Sequence, residues 1–229
     1  MQIVLAGNPN VGKSAVFSRL TGADVIAANY AGTTVEYTRG SAVVGGQSAD
    51  VLDVPGTYSI RGSNRAERVA SRMIEDADLV INVVDATNLE RNLNLTLELL
   101  KLDVPVIVAL NMWDEAVEHG VEINVDALEE QLGVPVVPTC ALSGEGMKRL
   151  LDRTDEARPG NMNFPPEERW NVIGRIVEST QKVTHKHPSL GEKLSHATVH
   201  AVWGPIIALL VLAASFELVR QLGEGLIKL

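Results

Sequence analysis

The sequence predicts an α/β fold, a mostly parallel sheet with helices on both faces. Three observations carry this. Gln2–Ala6 (QIVLA), Leu79–Val84 (LVINVV) and Val104–Leu110 (VPVIVAL) are almost wholly apolar, as strands covered on both sides must be. Between them lie segments with apolar residues at helical spacing, such as Leu89, Leu93, Leu97 and Leu100. Strands alternating with helices imply parallel pairing through crossovers. The 229 residues suffice for one full core with a smaller appendage, and a 45% hydrophobic content excludes a disordered chain.

Taken in order, the first strand is broken by Gly7-Asn8-Pro9-Asn10, and Lys13–Thr21 follows as a helix with Val16, Phe17 and Leu20 on one side. A polar, glycine-containing stretch runs to Thr34. Val35–Val44 and Ser48–Asp53 read as a hairpin around Gly45-Gly46. Ala66–Glu75 is a helix, Val134–Val137 a short last strand and Met147–Glu156 the closing helix. The charges in Glu115–Glu122 and Glu129–Glu130 read as solvated helix faces. After Ala157 the alternation stops. Arg158-Pro159-Gly160 and Phe164-Pro165-Pro166 mark a linker, and Glu167–Val183 reads as an amphipathic helix carrying Trp170, Ile173, Ile176 and Val177. Ala197–Phe216 (ATVHAVWGPIIALLVLAASF) has no formal charge and reaches the roughly 20 residues a membrane crossing needs. The expected organisation is a nucleotide-binding domain at 1–157, a short helical domain at 158–196, and an apolar helix at 197–229 forming a transmembrane segment.

Composition narrows the function. A net charge of −9 argues against a nucleic-acid partner, which needs a basic face to displace counterions. The single Cys140 excludes an internal disulfide framework and points to a reducing compartment. No basic segment precedes an apolar stretch at the N-terminus, so no leader is expected. His185, His187, His196 and His200 lack acidic or thiol partners at ligand spacing and read as surface residues. Trp203 suits either a membrane interface or a core, and Arg61, Arg65 and Arg68 suit the surface.

The chemistry sits in Gly7-Asn8-Pro9-Asn10-Val11-Gly12-Lys13-Ser14, with Ala15 next to it. This is the G-x-x-x-x-G-K-[ST] phosphate loop, between a first strand and a helix as its mechanism requires. Backbone N–H groups and the helix N-terminus face the phosphates, Lys13 meets the β- and γ-phosphates, and the Ser14 hydroxyl binds Mg²⁺. Asp53-Val54-Pro55-Gly56 ends a neighbouring strand, where Asp53 serves Mg²⁺ and the Gly56 N–H meets the γ-phosphate. Thr33 and Thr34 offer hydroxyls to the metal shell, Thr34 the better candidate. In Asn111-Met112-Trp113-Asp114, the Asp114 carboxylate accepts from the N1–H and N2 amine of guanine, an edge adenine lacks, while Asn111 braces the loop. Thr139-Cys140-Ala141-Leu142 follows the last strand and offers a backbone N–H to the guanine oxygen. The four elements together specify a Ras-like GTPase with GTP, GDP and Mg²⁺ as ligands. Thr57 occupies the position where such enzymes orient water with glutamine, which predicts slow intrinsic hydrolysis. Asn10 offers an amide oxygen to K⁺, which would take over the charge role of an arginine finger. Lys13, Thr34, Gly56 and Asn10 are the expected catalytic set.

These residues resemble one family, ferrous iron transport protein B. The resemblance rests on GNPNVGKS, on Asn29–Glu36 (NYAGTTVE), on DVPGTYSI, VVDATNLERNLNLTLELL and VPVIVALNMWDEA, and on TCALSGEGM. It implies a cytoplasmic G domain, a helical domain likened to a dissociation inhibitor, and a membrane core that moves Fe²⁺ across a bacterial or archaeal inner membrane. It implies Thr34 as the switch I threonine, Asp53 as the switch II aspartate and Asn10 as the potassium-linked asparagine. It leaves a homo-oligomer open. Ala31 replaces a usual proline and Cys140 a usual serine. One apolar helix cannot enclose a hydrated path, so this chain is not expected to transport iron alone. The alternative is a soluble translation-factor-type GTPase whose final helix binds a protein, separable by whether extraction requires detergent. A third reading is nucleotide sensing without useful catalysis.

Overall fold

The computed structural model describes residues 1–22, 25–30, 33–60, 65–162, 164–184, 198 and 203–227. Ala31, Arg61 and the four histidines of 185–200 lie outside them, as does all of 185–197. The chain divides into two units, Met1–Thr184 and His185–Leu229.

The first unit opens with β1 (Gln2–Gly7), α1 (Lys13–Thr21), β2 (Val25–Asn29), β3 (Glu36–Val44) and β4 (Gln47–Asp53). It continues through α2 (Arg65–Glu75), β5 (Leu79–Asp85), α3 (Leu89–Leu99), β6 (Pro105–Asn111), α4 (Trp113–Glu118), β7 (Val121–Ile123), α5 (Val125–Leu132) and β8 (Val136–Pro138). It closes with α6 (Met147–Asp152), β9 (Arg158–Pro159), α7 (Arg169–Thr180) and β10 (Gln181–Val183). The main sheet has the order β2-β3-β4-β1-β5-β6-β8, with β9 on β6. Strands β4, β1, β5, β6 and β8 run parallel, while β2, β3 and β9 add antiparallel pairs, so the sheet is mixed.

Strand alternation splits the core into two layers. Val4 and Ala6 of β1, Val80 and Val84 of β5, and Val106, Val108 and Leu110 of β6 join the α2, α3, α5 and α7 side. Ile3, Leu5, Ile81, Val83, Ile107 and Ala109 face the other way, towards α1 and α6. The apolar runs are continuous because each residue has a helix to meet on its own side. Burying a leucine or isoleucine side chain contributes about 1.5–3 kcal/mol, so both layers are needed to hold the sheet.

Several elements differ from the expectations. β2 forms where a polar stretch was read, pairing Val25 with Gly40 and Asn29 with Glu36. α4, β7 and α5 fill the segment read only as helix faces. The closing helix stops at Asp152, and Thr154–Glu156 continues as a 3-10 turn whose Thr154 hydroxyl bonds Leu151 O at 2.7 Å. The amphipathic helix ends at Thr180 because residues 181–183 pair antiparallel with β7. Its Ile173 and Ile176 are buried, but Trp170 is 59% exposed and lies off the apolar side. α7 packs on α3 and α5 within the first unit.

In the second unit, α8 (Trp203–Ile227) is a helix of 25 residues. The expected membrane crossing is not found: among the described residues no helix is long and apolar enough to cross a membrane. From Trp203 to Phe216 the described helix carries no formal charge. Glu217 and Arg220 then pair at 2.8 Å.

Candidate functional site

Parallel pairing sends the loops after β1, β4, β6 and β8 to one rim of the sheet. In doubly wound sheets, ligands bind at that rim. Leu5 lies level with Asp53, Gly7 with Val83 and Leu110 with Pro138. The phosphate loop, the Asp53 turn and the two purine loops are therefore neighbours.

The phosphate loop is fixed by its backbone. Gly12 caps α1 with φ 79°, and Asn10 also has positive φ, 69°. A Cβ on Gly12 would lie 2.4 Å from Asn111 Nδ2, and one on Gly7 2.6 Å from Val83 O. Contact requires glycine at both, and the left-handed backbone requires it at Gly12 as well. The first turn of α1 carries no acid of its own, so the helix contributes a positive end to the loop. A cleft of about 350 Å³ over the loop is lined by Asn8, Pro9, Asn10, Lys13, Ser14 and Gly56, among others. A larger groove of about 650 Å³ along α8 contains none of the site residues.

Lys13 Nζ pairs with Asp53 Oδ1 and also donates to Val54 O. Ser14 Oγ donates to Asp53 Oδ2 at 3.0 Å. The three residues expected to handle phosphate and metal thus converge. A hydroxyl and a carboxylate are the hard oxygen donors Mg²⁺ prefers, so this pair fits that ion. Asn10 is exposed at the cleft, where its amide oxygen is a donor suited to a monovalent cation. Asn8 Oδ1 is buried there without a partner in the described residues, an acceptor that a water or cation can satisfy.

The two threonines divide. Thr33 is a turn residue: its hydroxyl donates to Tyr30 O at 2.9 Å and accepts from Val35 N at 3.1 Å. Thr34 is exposed on the loop before β3. Pro55 and Gly56 follow Val54, and a Cβ on Gly56 would lie 3.1 Å from Pro9 N, so the turn after Asp53 rests on the phosphate loop. Thr57 is 3% exposed, with its N–H on Gly7 O at 3.1 Å and its hydroxyl on Ser59 O at 2.6 Å.

Asn111 is the brace. Its Nδ2 donates to Val11 O at 3.0 Å and its Oδ1 accepts from Ala141 N at 3.0 Å, tying the phosphate loop to the last loop. Met112 takes φ 57°, turning the chain so that Asp114 stands exposed in the first turn of α4. Trp113 N donates to Thr139 O at 3.2 Å. The Cys140 and Ala141 amides are committed inward, to Glu145 O and Asn111 Oδ1. Leu142 is 75% exposed.

Sequence reasoning missed a group on α3. Arg91 donates to Tyr58 OH at 2.8 Å and stacks on its ring at 4.8 Å, and Asn94 donates to Tyr58 O at 3.1 Å. Glu98 Oε2 accepts from Ser59 Oγ and Ile60 N at 2.7 and 2.8 Å, while its Oε1 pairs with Arg169 of α7 at 2.5 Å. Residues 91, 94 and 98 share one helix face. The available signal was Glu98 itself, a carboxylate inside the apolar run LTLELL.

The family model described as ferrous iron transport protein B matches residues 1–154. The chain is 35% identical over 227 residues to an Fe(2+) transport protein A/Fe(2+) transporter FeoB fusion protein of Porphyromonas gingivalis, covering 98% of this chain and 26% of that one. It is 48% identical over 156 residues to an Fe(2+) transporter FeoB of Salmonella typhimurium, covering 66% of this chain and 20% of that one. An S. thermophilus NFeoB mutant bound to GDP has the same fold, with a TM-score of 0.73 and 28% identity over 80% of this chain and 100% of that one. The chain thus spans about a quarter to a fifth of the length of these curated relatives. With the phosphate loop, Asp53 and Asn111 all inside the matched residues and gathered at one rim, the chain belongs to the ferrous iron transport protein B family.

Proposed function

We propose that this chain binds guanine nucleotides, hydrolyses GTP and serves as the nucleotide-driven switch of a ferrous iron transporter. The observation that carries the reading is the convergence of Lys13 and Ser14 on Asp53, beside a loop held by Asn111 to both the phosphate and purine segments. A phosphate chain competes with Asp53 for Lys13, because the ammonium is a point charge free to turn to the stronger anion. Ser14, Asp53 and, from switch I, Thr34 are the residues that would hold Mg²⁺, which when bound neutralises charge on the phosphates. Asn10 is the residue for K⁺. Thr57 is buried with its hydroxyl committed, so it does not orient water. The Gly56 amide and bound cation are left to do so, and hydrolysis is slow.

The route outward is the α3 face. Residues 58–60 of switch II dock on Arg91, Asn94 and Glu98, and Glu98 also holds Arg169. A γ-phosphate that reorders switch II therefore alters what Glu98 offers to α7, within the region 158–196 assigned to helical regulation. The membrane core, Fe²⁺ as cargo, and a cytoplasmic face of a bacterial or archaeal inner membrane belong to the whole protein in this reading, which the iron-transporter relatives support.

The test is competition for fluorescent GDP in Mg²⁺, followed by phosphate release in K⁺ and in Na⁺. GTP and GDP compete and ATP does not, and release is slow and faster in K⁺. Equal competition by ATP refutes the reading, and absence of release in both salts leaves a sensor without catalysis. Asp114→Asn moves preference from guanine to xanthine nucleotides, since an amide donates where the carboxylate accepted.

A further inference from the structure

Arg19 lies in the last turn of α1, at the far end of that helix from the phosphate loop. Its guanidinium reaches the loop after β8. Nε donates to Ala141 O at 2.8 Å, and Nη2 donates to the next carbonyl, Leu142 O. Ala141 is gripped from its other side as well, through its N–H to Asn111 Oδ1 at 3.0 Å. Gly144, at φ 88°, folds the loop back so that an added Cβ would lie 3.7 Å from Arg19 Nη1. Two successive carbonyls taken by one planar fork fix the direction of the peptide planes between them. Those planes carry the Leu142 and Ser143 amides, which the guanine-nucleotide reading sets beside the base.

We infer that Arg19 is a positioning residue for the purine loop and sets how long a guanine nucleotide stays bound. α1 is a continuous helix, so it transmits position along its axis. Its first turn, with Lys13 and Ser14, meets the phosphates, and its last turn, through Arg19, holds the loop at the purine. One helix thus ties both ends of the nucleotide, and release requires that one end let go. This rests on the guanine-nucleotide reading above. It adds a residue outside every nucleotide motif, acting through Ala141 and Leu142 without touching the ligand.

The experiment uses the full chain loaded with fluorescent GDP and Mg²⁺, chased with excess unlabelled GDP in a stopped-flow instrument. Arg19→Ala raises the dissociation rate about tenfold, the size of one lost hydrogen bond to a charged group. It does the same for a non-hydrolysable GTP analogue, since the base is common to both. Arg19→Lys gives an intermediate rate, because an ammonium holds one carbonyl and not the fork. Phosphate release at saturating GTP and the thermal unfolding midpoint of nucleotide-free protein stay at wild-type values. A dissociation rate within twofold of wild type in Arg19→Ala overturns the inference. So does a raised rate accompanied by an equal fall in saturated turnover and a lower unfolding midpoint, which would mark general damage. Wild-type protein that fails to take up GDP refutes the underlying nucleotide reading instead, so the two failures are told apart.

Discussion

Gly12 carries two constraints at once, a left-handed backbone and a neighbouring amide 2.4 Å from where its Cβ would stand. Gly12→Ala is therefore expected to cost about 1–3 kcal/mol in urea unfolding, and to weaken GDP binding at least tenfold by displacing Asn111 from Val11. Thr57 makes the opposite prediction. Because its side chain is enclosed and bonded to Ser59, Thr57→Gln will not raise the rate of GTP hydrolysis, measured as phosphate release at saturation. Residues such as Lys13, Ser14, Asp53 and Asn111 were legible in the sequence because their chemistry is packaged in short motifs after strands. Arg19 was not, since its partners are 122 and 123 positions away and an arginine at a helix end has many other uses. Thr33 showed the same limit: a hydroxyl can serve a metal or a turn, and the nearby Tyr30 O and Val35 N commit this one to the turn.

Among elements, the central strands and α1 were readable because burial on both faces leaves an unbroken apolar run. β2 was not, because Ala27, Ala28 and Asn29 have little strand preference of their own and depend on pairing with β3. β10 was misread for a related reason: its backbone partner, β7, decides its conformation. α7 is held by Arg169, whose ion pair with Glu98 is enclosed, at 12% and 7% side-chain exposure. Removing Arg169 takes its positive charge away from a buried carboxylate, so Arg169→Ala should destabilise the first unit by about 3–5 kcal/mol in urea unfolding. A double replacement of Glu98 and Arg169 by apolar residues of similar size should recover most of that loss, if the pair rather than the volume is what matters.

For the molecule as a whole, stability should fall with acid in a particular window. The Arg153 guanidinium, hydrogen-bonded to Glu129 and then to Glu156, holds both carboxyls below their ordinary value, against the burial that would raise them. A carboxyl with a depressed folded value stabilises the protein fully above its unfolded value, near 4.5, and loses that contribution as pH falls through the lower folded one. Circular-dichroism melts from pH 7 to pH 3 should thus stay level until about the unfolded carboxylate pKa and then decline. The decline should be shallower in Arg153→Met, where the lowering is gone. The sheet order carries a last consequence. The loops serving phosphate and purine leave β1 and β6, with only β5 between them, so they stand two inter-strand spacings apart, about 9.5 Å. That gap is a ruler cut in peptide hydrogen bonds, and it fixes the length of ligand the rim accepts. Base preference can drift with single side chains, whereas the span from sugar-linked base to phosphate changes only if a strand is gained or lost.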